Sequence, residues 1–318
     1  MTIKINTGDP VLVPSQETGD DKKIRSVIRD QIRENLKNLE PSDLSLVVEL
    51  TFLIATNRTD GSDFIMQGVK LMLRCRLLNE LLDRSRDQQE KMRLVAQLID
   101  LDRVRRMCGL PLDKIRAGRS TFDHKPAPIG LDYIEHHDVM LPLVNMPEKI
   151  QEYLSIKIAD GKSKDYTSYV KLHADRISFI NFNENKLFEQ YEVGGLSEPI
   201  SRTILINHIS FIGDAEAIQI PSFLIAASIV HEAAHIEWDN KHSRSNSKAD
   251  DLKSEIYAYN KKVKYLERLL EEAPSFDLND KIQGIIQANI EQIYKAIADM
   301  NVQLIKIEPG HEKDDIVF

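Results

Sequence analysis

A nearly all-apolar stretch that ends in two histidines and a glutamate constrains this chain more than any other feature. Residues 223–238 carry almost no polar side chain until His231, Glu232 and His235 follow within five positions. A helix that is apolar on all sides belongs in a protein core. Burying two histidines and a carboxylate there is unfavourable by several kcal/mol unless the groups are paired or bind a metal. The stretch therefore predicts a buried helix with a functional polar end.

The spacing of the two histidines predicts a zinc site. Four residues of α-helix turn through about 400°, so the rings of His231 and His235 lie on one face, one turn apart. Neutral imidazole nitrogens bind Zn²⁺ at about 2.0 to 2.1 Å, and Glu232 lies beside them, where it can take a proton from a water activated by the metal. We expect the two histidines as ligands and Glu232 as the general base. The alternative is a pair of hydrogen-bonded core histidines beside a surface carboxylate.

A third ligand is expected downstream, because a catalytic zinc site takes three protein ligands and leaves one position open. Ser247 and Asp250 form a capping box that predicts the start of a helix. The apolar stripe of this helix consists of Leu252, Ile256, Tyr259, Val263, Leu266 and Leu270. Glu255 lies beside the stripe, so its carboxylate is expected to face the protein and complete the site. Two alternatives stay open: a solvated Glu255 paired with Lys262 or a neighbouring lysine, and Asp251 as the ligand or as a residue that orients one.

These residues resemble the zincin metallopeptidases, and within them the gluzincin-like group. In that group a Glu on the helix after the H-E-x-x-H helix is the third ligand. The matching residues are His231, Glu232, His235 and Glu255, and the resemblance covers residues 200–270. It implies a peptidase that uses Zn²⁺ to hydrolyse a peptide bond in a protein or peptide substrate.

The chain departs from two patterns of that superfamily. Tyr259 stands four residues after Glu255, where one familiar gluzincin pattern has an Asp that orients the first histidine. A phenol can still make a hydrogen bond at that place. The metzincin pattern requires Gly and His where the chain has Trp238 and Lys241, and His242 is one residue out of register.

Two stretches before the motif helix predict a small sheet. Residues 202–211 are rich in β-branched side chains and end at a turn, and we expect them to form the edge strand that holds an extended substrate. Residues 166–172 and 176–182 flank a short link and are interpreted as a β-hairpin. Together they are expected to form a twisted sheet packed on the H-E-x-x-H helix.

Most of the remaining chain predicts helices. The helical stretches are residues 22–39, 44–55, 64–82, 88–107 and 277–307. We therefore expect an α+β fold that is predominantly helical, with a helical N-terminal half and a zincin-like half that ends in further helices. The expected parts are a flexible N-terminus over residues 1–20, a helical domain over 21–120 and a zincin-like metallopeptidase domain over 121–318.

Two other classes of function stay open. Residues 103–119 have the helix, glycine-containing turn and helix of a helix-turn-helix, with several arginines that can meet phosphates, as in a DNA-associated regulator. The formal net charge of -8 opposes nonspecific nucleic-acid binding, so nucleic acid is not the expected partner. The other class is a regulatory or interaction protein with a structural or vestigial zinc site, whose helical N-terminal half binds a protein partner.

The location of the protein is expected to be the cytoplasm. Residues 1–20 show no charged-then-apolar leader, and no run of eighteen apolar residues occurs, so neither a secretory signal nor a membrane span is predicted. The two cysteines, Cys75 and Cys108, both lie on predicted helices and suggest no disulfide framework.

Overall fold

Helices make up most of the chain that the structure describes. The computed structural model describes residues 64–107, 112, 139–142, 146, 148–158, 164–191, 193–207, 222–242, 245–276 and 278–308. The α-helices are α1 (Phe64–Arg84), α2 (Gln88–Met107), α3 (Glu148–Leu154), α4 (Tyr166–His173), α5 (Ser222–Lys241), α6 (Lys248–Glu271) and α7 (Asp280–Ile307). The strands are β1 (Val139–Pro142), β2 (Arg176–Ile180), β3 (Gly195–Glu198) and β4 (Thr203–Asn207), and a short 3-10 helix occupies Ala273–Phe276. The fold is α+β and predominantly helical, as the sequence predicted.

Three helices outside the motif region are confirmed. Residues 88–107 form α2 at the predicted bounds, and α1 covers the predicted residues 64–82. The helix predicted at 277–307 begins slightly later, as α7, because Asn279 caps it and accepts a hydrogen bond from the Ile282 amide.

The predictions for residues 1–20, 22–39 and 44–55 lie outside the described residues. All of the described chain falls within one compact unit, Val48–Phe318. The domain boundary near residue 120 stays a prediction. No described helix combines the length and the apolar character that a bilayer span requires.

Four strands form a single sheet in the order β1-β2-β4-β3. The two outer strands pair antiparallel with their neighbours, whereas β2 and β4 pair in parallel at the centre. Alternate residues of the central strands face opposite sides. Phe179 and Ile206 join the core shared with α5, and Ser178 on the other face contacts Met92 of α2. The sheet is therefore covered on both faces by helices.

The strand predicted at residues 202–211 is present over Thr203–Asn207 as β4, and residues 208–211 lie outside the described residues. Its predicted place at the sheet edge is wrong. β4 lies between β2 and β3, and all five of its residues are buried. Apolar side chains on both faces suit a central strand better than an edge. The edge strand beside α5 is β3 instead.

The predicted hairpin at residues 166–172 and 176–182 is also wrong in its first half. Its first segment is the helix α4, which Asp165 caps by accepting a hydrogen bond from the Ser168 amide at 2.7 Å. The buried residues of α4 follow helical spacing and are Tyr166, Tyr169, Val170 and His173. Only the second segment contains a strand, β2, so these residues form a helix followed by a strand.

The hydrophobic core surrounds α5. It combines side chains of α3, α4, the central strands, α5, α6 and α7. On α5 the small residues Ala226, Ala227, Ala233 and Ala234 are fully buried, and they let neighbouring elements approach the helix closely. α5 packs on α6, and α6 packs on α7. The motif helix α5 is therefore packed against helices and strands of the core, which fix the positions of its H-E-x-x-H residues.

Candidate metal centre

The H-E-x-x-H residues lie in the second half of α5, as the sequence predicted. Helical spacing places the rings of His231 and His235 side by side, with ring centroids 4.8 Å apart. Their Nε2 atoms are 3.2 Å apart. Both histidines therefore present the same ring nitrogen to one point in space.

Glu255 reaches the same point from α6. Ser247 caps this helix as predicted, because its hydroxyl accepts a hydrogen bond from the Asp250 amide at 3.2 Å. Glu255 lies two turns further along, and its carboxylate oxygens are 3.6 Å from His231 Nε2 and 3.4 Å from His235 Nε2. The carboxylate does not pair with Lys262, which was the alternative considered for it.

The three side chains fit a zinc ion in both geometry and chemistry. Their ligand atoms all lie within 4.8 Å of one another. A tetrahedral ion with bonds of about 2.0 to 2.1 Å separates its ligand atoms by about 3.3 to 3.4 Å. The two histidine nitrogens, 3.2 Å apart, have nearly that spacing. Glu255 brings Oε1 to 3.4 Å from His235 Nε2 and Oε2 to 3.6 Å from His231 Nε2, so its carboxylate faces the same point with both oxygens. Two imidazoles and a carboxylate form a donor set of catalytic zinc sites, and a fourth position remains for water or substrate.

The protonation states suit metal binding. Burial lowers the pKa of His231 to about 4 despite the neighbouring Glu255, so its imidazole is neutral near pH 7, as a ligand must be. Burial would raise the pKa of Glu255, but hydrogen bonds from His231 and His235 outweigh that effect and hold it below the ordinary value. Glu255 therefore carries the negative charge that a carboxylate ligand needs.

Glu232 is buried beside the three residues, against the edge strand β3. Burial raises the pKa of Glu232 to about 7, the range in which a carboxylate works well as a general base. A Cβ atom at Gly195 of β3 would lie 2.6 Å from Glu232 Oε1. The carboxylate can occupy its place only because position 195 has no side chain.

Tyr259 and Lys262 continue the face of α6 that bears Glu255. The ring of Tyr259 packs on His231, with ring centroids 4.6 Å apart. Burial lowers the pKa of Lys262 from its ordinary value, and the negative charge of Glu232 opposes this change. In the part of the chain that the structure describes, no ion pair or hydrogen bond holds the Lys262 ammonium group. The positive charge of Lys262 therefore acts on Glu232 without a direct bond, and it opposes the rise in the pKa of Glu232.

Two other candidate ligands do not join the group. Asp251 has a carboxylate oxygen 3.4 Å from Arg106 Nη1. His242 is exposed, and its ring stacks on Trp238 with centroids 3.8 Å apart. Within the described ranges, the only group of three acidic, His or Cys side chains placed to hold a metal is the one around Glu255.

Sequence reasoning missed Ser254 and Gly195. Ser254 is fully buried, and its Oγ lies 2.8 Å from His235 Nδ1. A serine on the buried side of a helix, next to the predicted ligand Glu255, is a usable signal for such a residue. Gly195 had no comparable signal, because its role depends on how closely β3 approaches α5.

Comparison of the chain with protein-family models, with curated proteins and with solved structures finds no match in any of the three. The resemblance to the zincins therefore rests on the motif residues themselves. A function for the chain has to be inferred from the geometry and chemistry of the metal centre.

Proposed function

We propose that this chain is a zinc-dependent peptidase of the zincin type with a gluzincin-like ligand set. The observation that carries the proposal is the convergence of His231, His235 and Glu255, whose ligand atoms lie within 4.8 Å of one another and form a donor set of catalytic zinc sites. Glu232 lies within electrostatic range of His235 and Glu255, as a general base for this centre requires.

Each residue of the centre has a separate role in the proposed reaction. Bound zinc would lower the pKa of a water to about 7 and polarise the scissile carbonyl. His231 and His235 would hold the ion with their Nε2 atoms, and Glu255 would contribute a negative charge. Glu232 takes a proton from the attacking water and returns it to the leaving amine. Its pKa of about 7 supports both transfers near neutral pH.

The edge strand β3 supports a peptide as the substrate. Within the sheet that the structure describes, β3 pairs with β4 on one side only. An extended segment can add to such an edge by backbone hydrogen bonding. Gly195 of β3 contacts Glu232, so a peptide on this edge passes directly by the base. In this proposal β3 takes the place that the sequence suggested for residues 202–211.

The two rival functions have less support. A structural zinc site is usually closed by four protein ligands, whereas this centre has three, and the Glu255 side chain is 42% exposed. A DNA-reading role for residues 103–119 needs free arginines. Arg105 is buried and bonded to Asp102 at 2.6 Å, and Arg106 pairs with Asp102 and Asp251. Arg103 is exposed and donates a hydrogen bond to the Tyr191 hydroxyl, and Arg116 and Arg119 lie outside the described residues. A partner that docks on the helical N-terminal half stays a prediction.

Glu232→Gln tests the mechanism, because it preserves size but removes the base. We expect about one zinc per chain and a fall of about 10²- to 10⁴-fold in cleavage of a defined peptide library, read by mass spectrometry of new chain ends. Glu291→Gln on exposed α7 is the matched control and should cleave like the wild type. If Glu232→Gln keeps its zinc and cleaves as fast as the wild type, a structural zinc site is the better explanation.

A further inference from the structure

The two histidines of the metal centre differ at their second ring nitrogen. His235 Nδ1 lies 2.8 Å from the hydroxyl oxygen of Ser254, and Ser254 is fully buried. His231 Nδ1 is also buried, but it has no hydrogen-bond partner among the described residues. Of the two histidines, only His235 therefore has a hydrogen bond at Nδ1, the ring nitrogen that faces away from the proposed metal.

We propose that Ser254 is a positioning residue that orients His235 for metal binding, an inference that rests on the proposed zinc centre. A neutral imidazole carries one proton, and a ring that binds a metal through Nε2 must keep that proton on Nδ1. The buried Nδ1–H then needs an acceptor, and Ser254 Oγ is in place to accept it. The hydrogen bond sets both the tautomer and the tilt of the ring.

The place of Ser254 on α6 couples its hydrogen bond to the position of Glu255. Ser254 directly precedes Glu255 on α6, so one helix supplies both the third ligand and the group that orients the second histidine. A shift of α6 along α5 would disturb both contacts together. The hydroxyl is also neutral, so it adds no negative charge to a centre that already contains Glu232 and Glu255. His231 instead has its ring packed against Tyr259.

Zinc affinity, measured by competition with a chelator, tests this role without any substrate. Ser254→Ala should weaken zinc binding by about 10- to 100-fold. The matched control is Ser178→Ala, the same change at a fully buried serine of β2 whose hydroxyl contacts Met92 on the face of the sheet away from α5, and it should leave the affinity within about threefold of wild type. Ser254→Thr and Ser254→Val form a second pair with nearly equal shape. The threonine should bind zinc more tightly than the valine by about tenfold or more, because only it keeps the hydroxyl.

A double-mutant cycle separates positioning from packing. In a His231→Ala background, Ser254→Ala should still cost its full 10- to 100-fold, whereas in a His235→Ala background it should cost nothing further. Equal losses in the two backgrounds, or equal affinities of the threonine and valine variants, would overturn the role of Ser254 while leaving the zinc centre in place. A wild-type chain that binds no zinc would overturn the proposed function itself, and the two failures are therefore distinguishable.

Discussion

Two buried glutamates near opposite ends of the short strand β3 have the same burial and opposite surroundings. Glu232 lies against Gly195 at the start of the strand, and Glu198 ends it. Burial raises the pKa of each to about 7. Glu198 accepts hydrogen bonds from the Ile200 amide at 2.8 Å, the Ser201 amide at 2.6 Å and the Ser201 hydroxyl. Glu232 has no hydrogen-bond partner among the residues that the structure describes.

The difference shows why burial alone does not identify a catalytic carboxylate. The hydrogen bonds that the Glu198 carboxylate accepts all come from the turn after β3, so this carboxylate stabilises the folded structure. Glu232 keeps its lone pairs available, and it faces two histidines and a glutamate that fit a metal. A buried carboxylate with a raised pKa that faces a cluster of possible metal ligands is a candidate for chemistry.

The largest expected effect separates the two glutamates by activity. Glu232→Gln should lower kcat by about 10²- to 10⁴-fold without lowering the free energy of unfolding, because Gln carries no charge to bury. Glu198→Gln should leave kcat close to wild type. At pH 4.5 it should lower the free energy of unfolding by about 1 to 3 kcal/mol, because an amide NH₂ would then face backbone N–H donors, and this difference should narrow as the pH rises. Peptide cleavage and urea titration on both variants check this. A comparable loss of kcat in Glu198→Gln would remove the distinction.

The second prediction applies the same contrast to two acidic residues on α6. Glu255 meets both histidines, whereas Asp251 meets Arg106. Glu255→Ala should weaken zinc binding by at least about 3 kcal/mol, a third of the total for a zinc site and about as much as the loss of His231 or His235. Asp251→Ala should cost clearly less.

Zinc dissociation constants in a single buffer provide the ranking for these variants. His242→Ala serves as the control, since its exposed ring stacks on Trp238 away from the centre, and it should cost little. A ranking with Asp251→Ala or His242→Ala above Glu255→Ala would remove the gluzincin-like ligand set and leave the H-E-x-x-H pair.

The parts of this centre that could be predicted from sequence are those whose residues lie close together along the chain. His231, Glu232 and His235 are related by helical spacing alone, and the cap at Ser247 set the start of the helix that presents Glu255. Residues joined by such short-range rules can be placed from sequence. The clustering of His231, His235 and Glu255 was therefore largely predictable.

The sheet was less predictable, because strand order depends on pairing between distant segments. The β-branched content of residues 203–207 correctly indicated a strand, but nothing local shows that β2 and β3 flank it. The aromatic and β-branched side chains of α4 suggested a strand. The segment is a helix instead, because Asp165 caps its start and its buried residues recur at helical spacing. The contacts of Glu198 and Gly195 depend on the same long-range arrangement.

The third prediction concerns stability as a function of pH. The pKa of Glu198 is raised from 4.5 to about 7 by burial, so the folded state binds the proton more tightly than the unfolded state. Its contribution is fully present below pH 4.5 and is lost as the pH rises through 7. Glu198→Gln cannot titrate, so between pH 4.5 and 8 wild type should lose up to about 3 kcal/mol relative to this variant.

Urea unfolding at several pH values checks this difference, with zinc removed from both proteins. Burial lowers the pKa of His173 to about 4, so its contribution is present above pH 6.5 and is lost as the pH falls towards 4. Because His173 is common to both proteins, its effect cancels in the comparison. A difference between wild type and Glu198→Gln that stays constant with pH would show that Glu198 does not titrate in this range.

The smallest expected effect concerns Gly195, which links the edge strand to the base. An added Cβ would lie 2.6 Å from Glu232 Oε1, closer than real Cβ contacts, so Gly195→Ala should displace the carboxylate. Displacement of a catalytic group by about 1 Å costs up to about 100-fold in rate, so kcat should fall by about 10- to 100-fold while zinc affinity is unchanged.

Gly194→Ala is the matched control, because a Cβ at Gly194 meets nothing within 4 Å and the residue directly precedes Gly195 on the chain. Both changes place one methyl group on adjacent residues and reduce the freedom of the unfolded chain alike. Any difference in kcat between them therefore reports the contact with Glu232 alone. If the two variants cleave peptides equally well, β3 does not hold the base in place. A selective loss in Gly195→Ala would tie the position of the edge strand to proton transfer by Glu232.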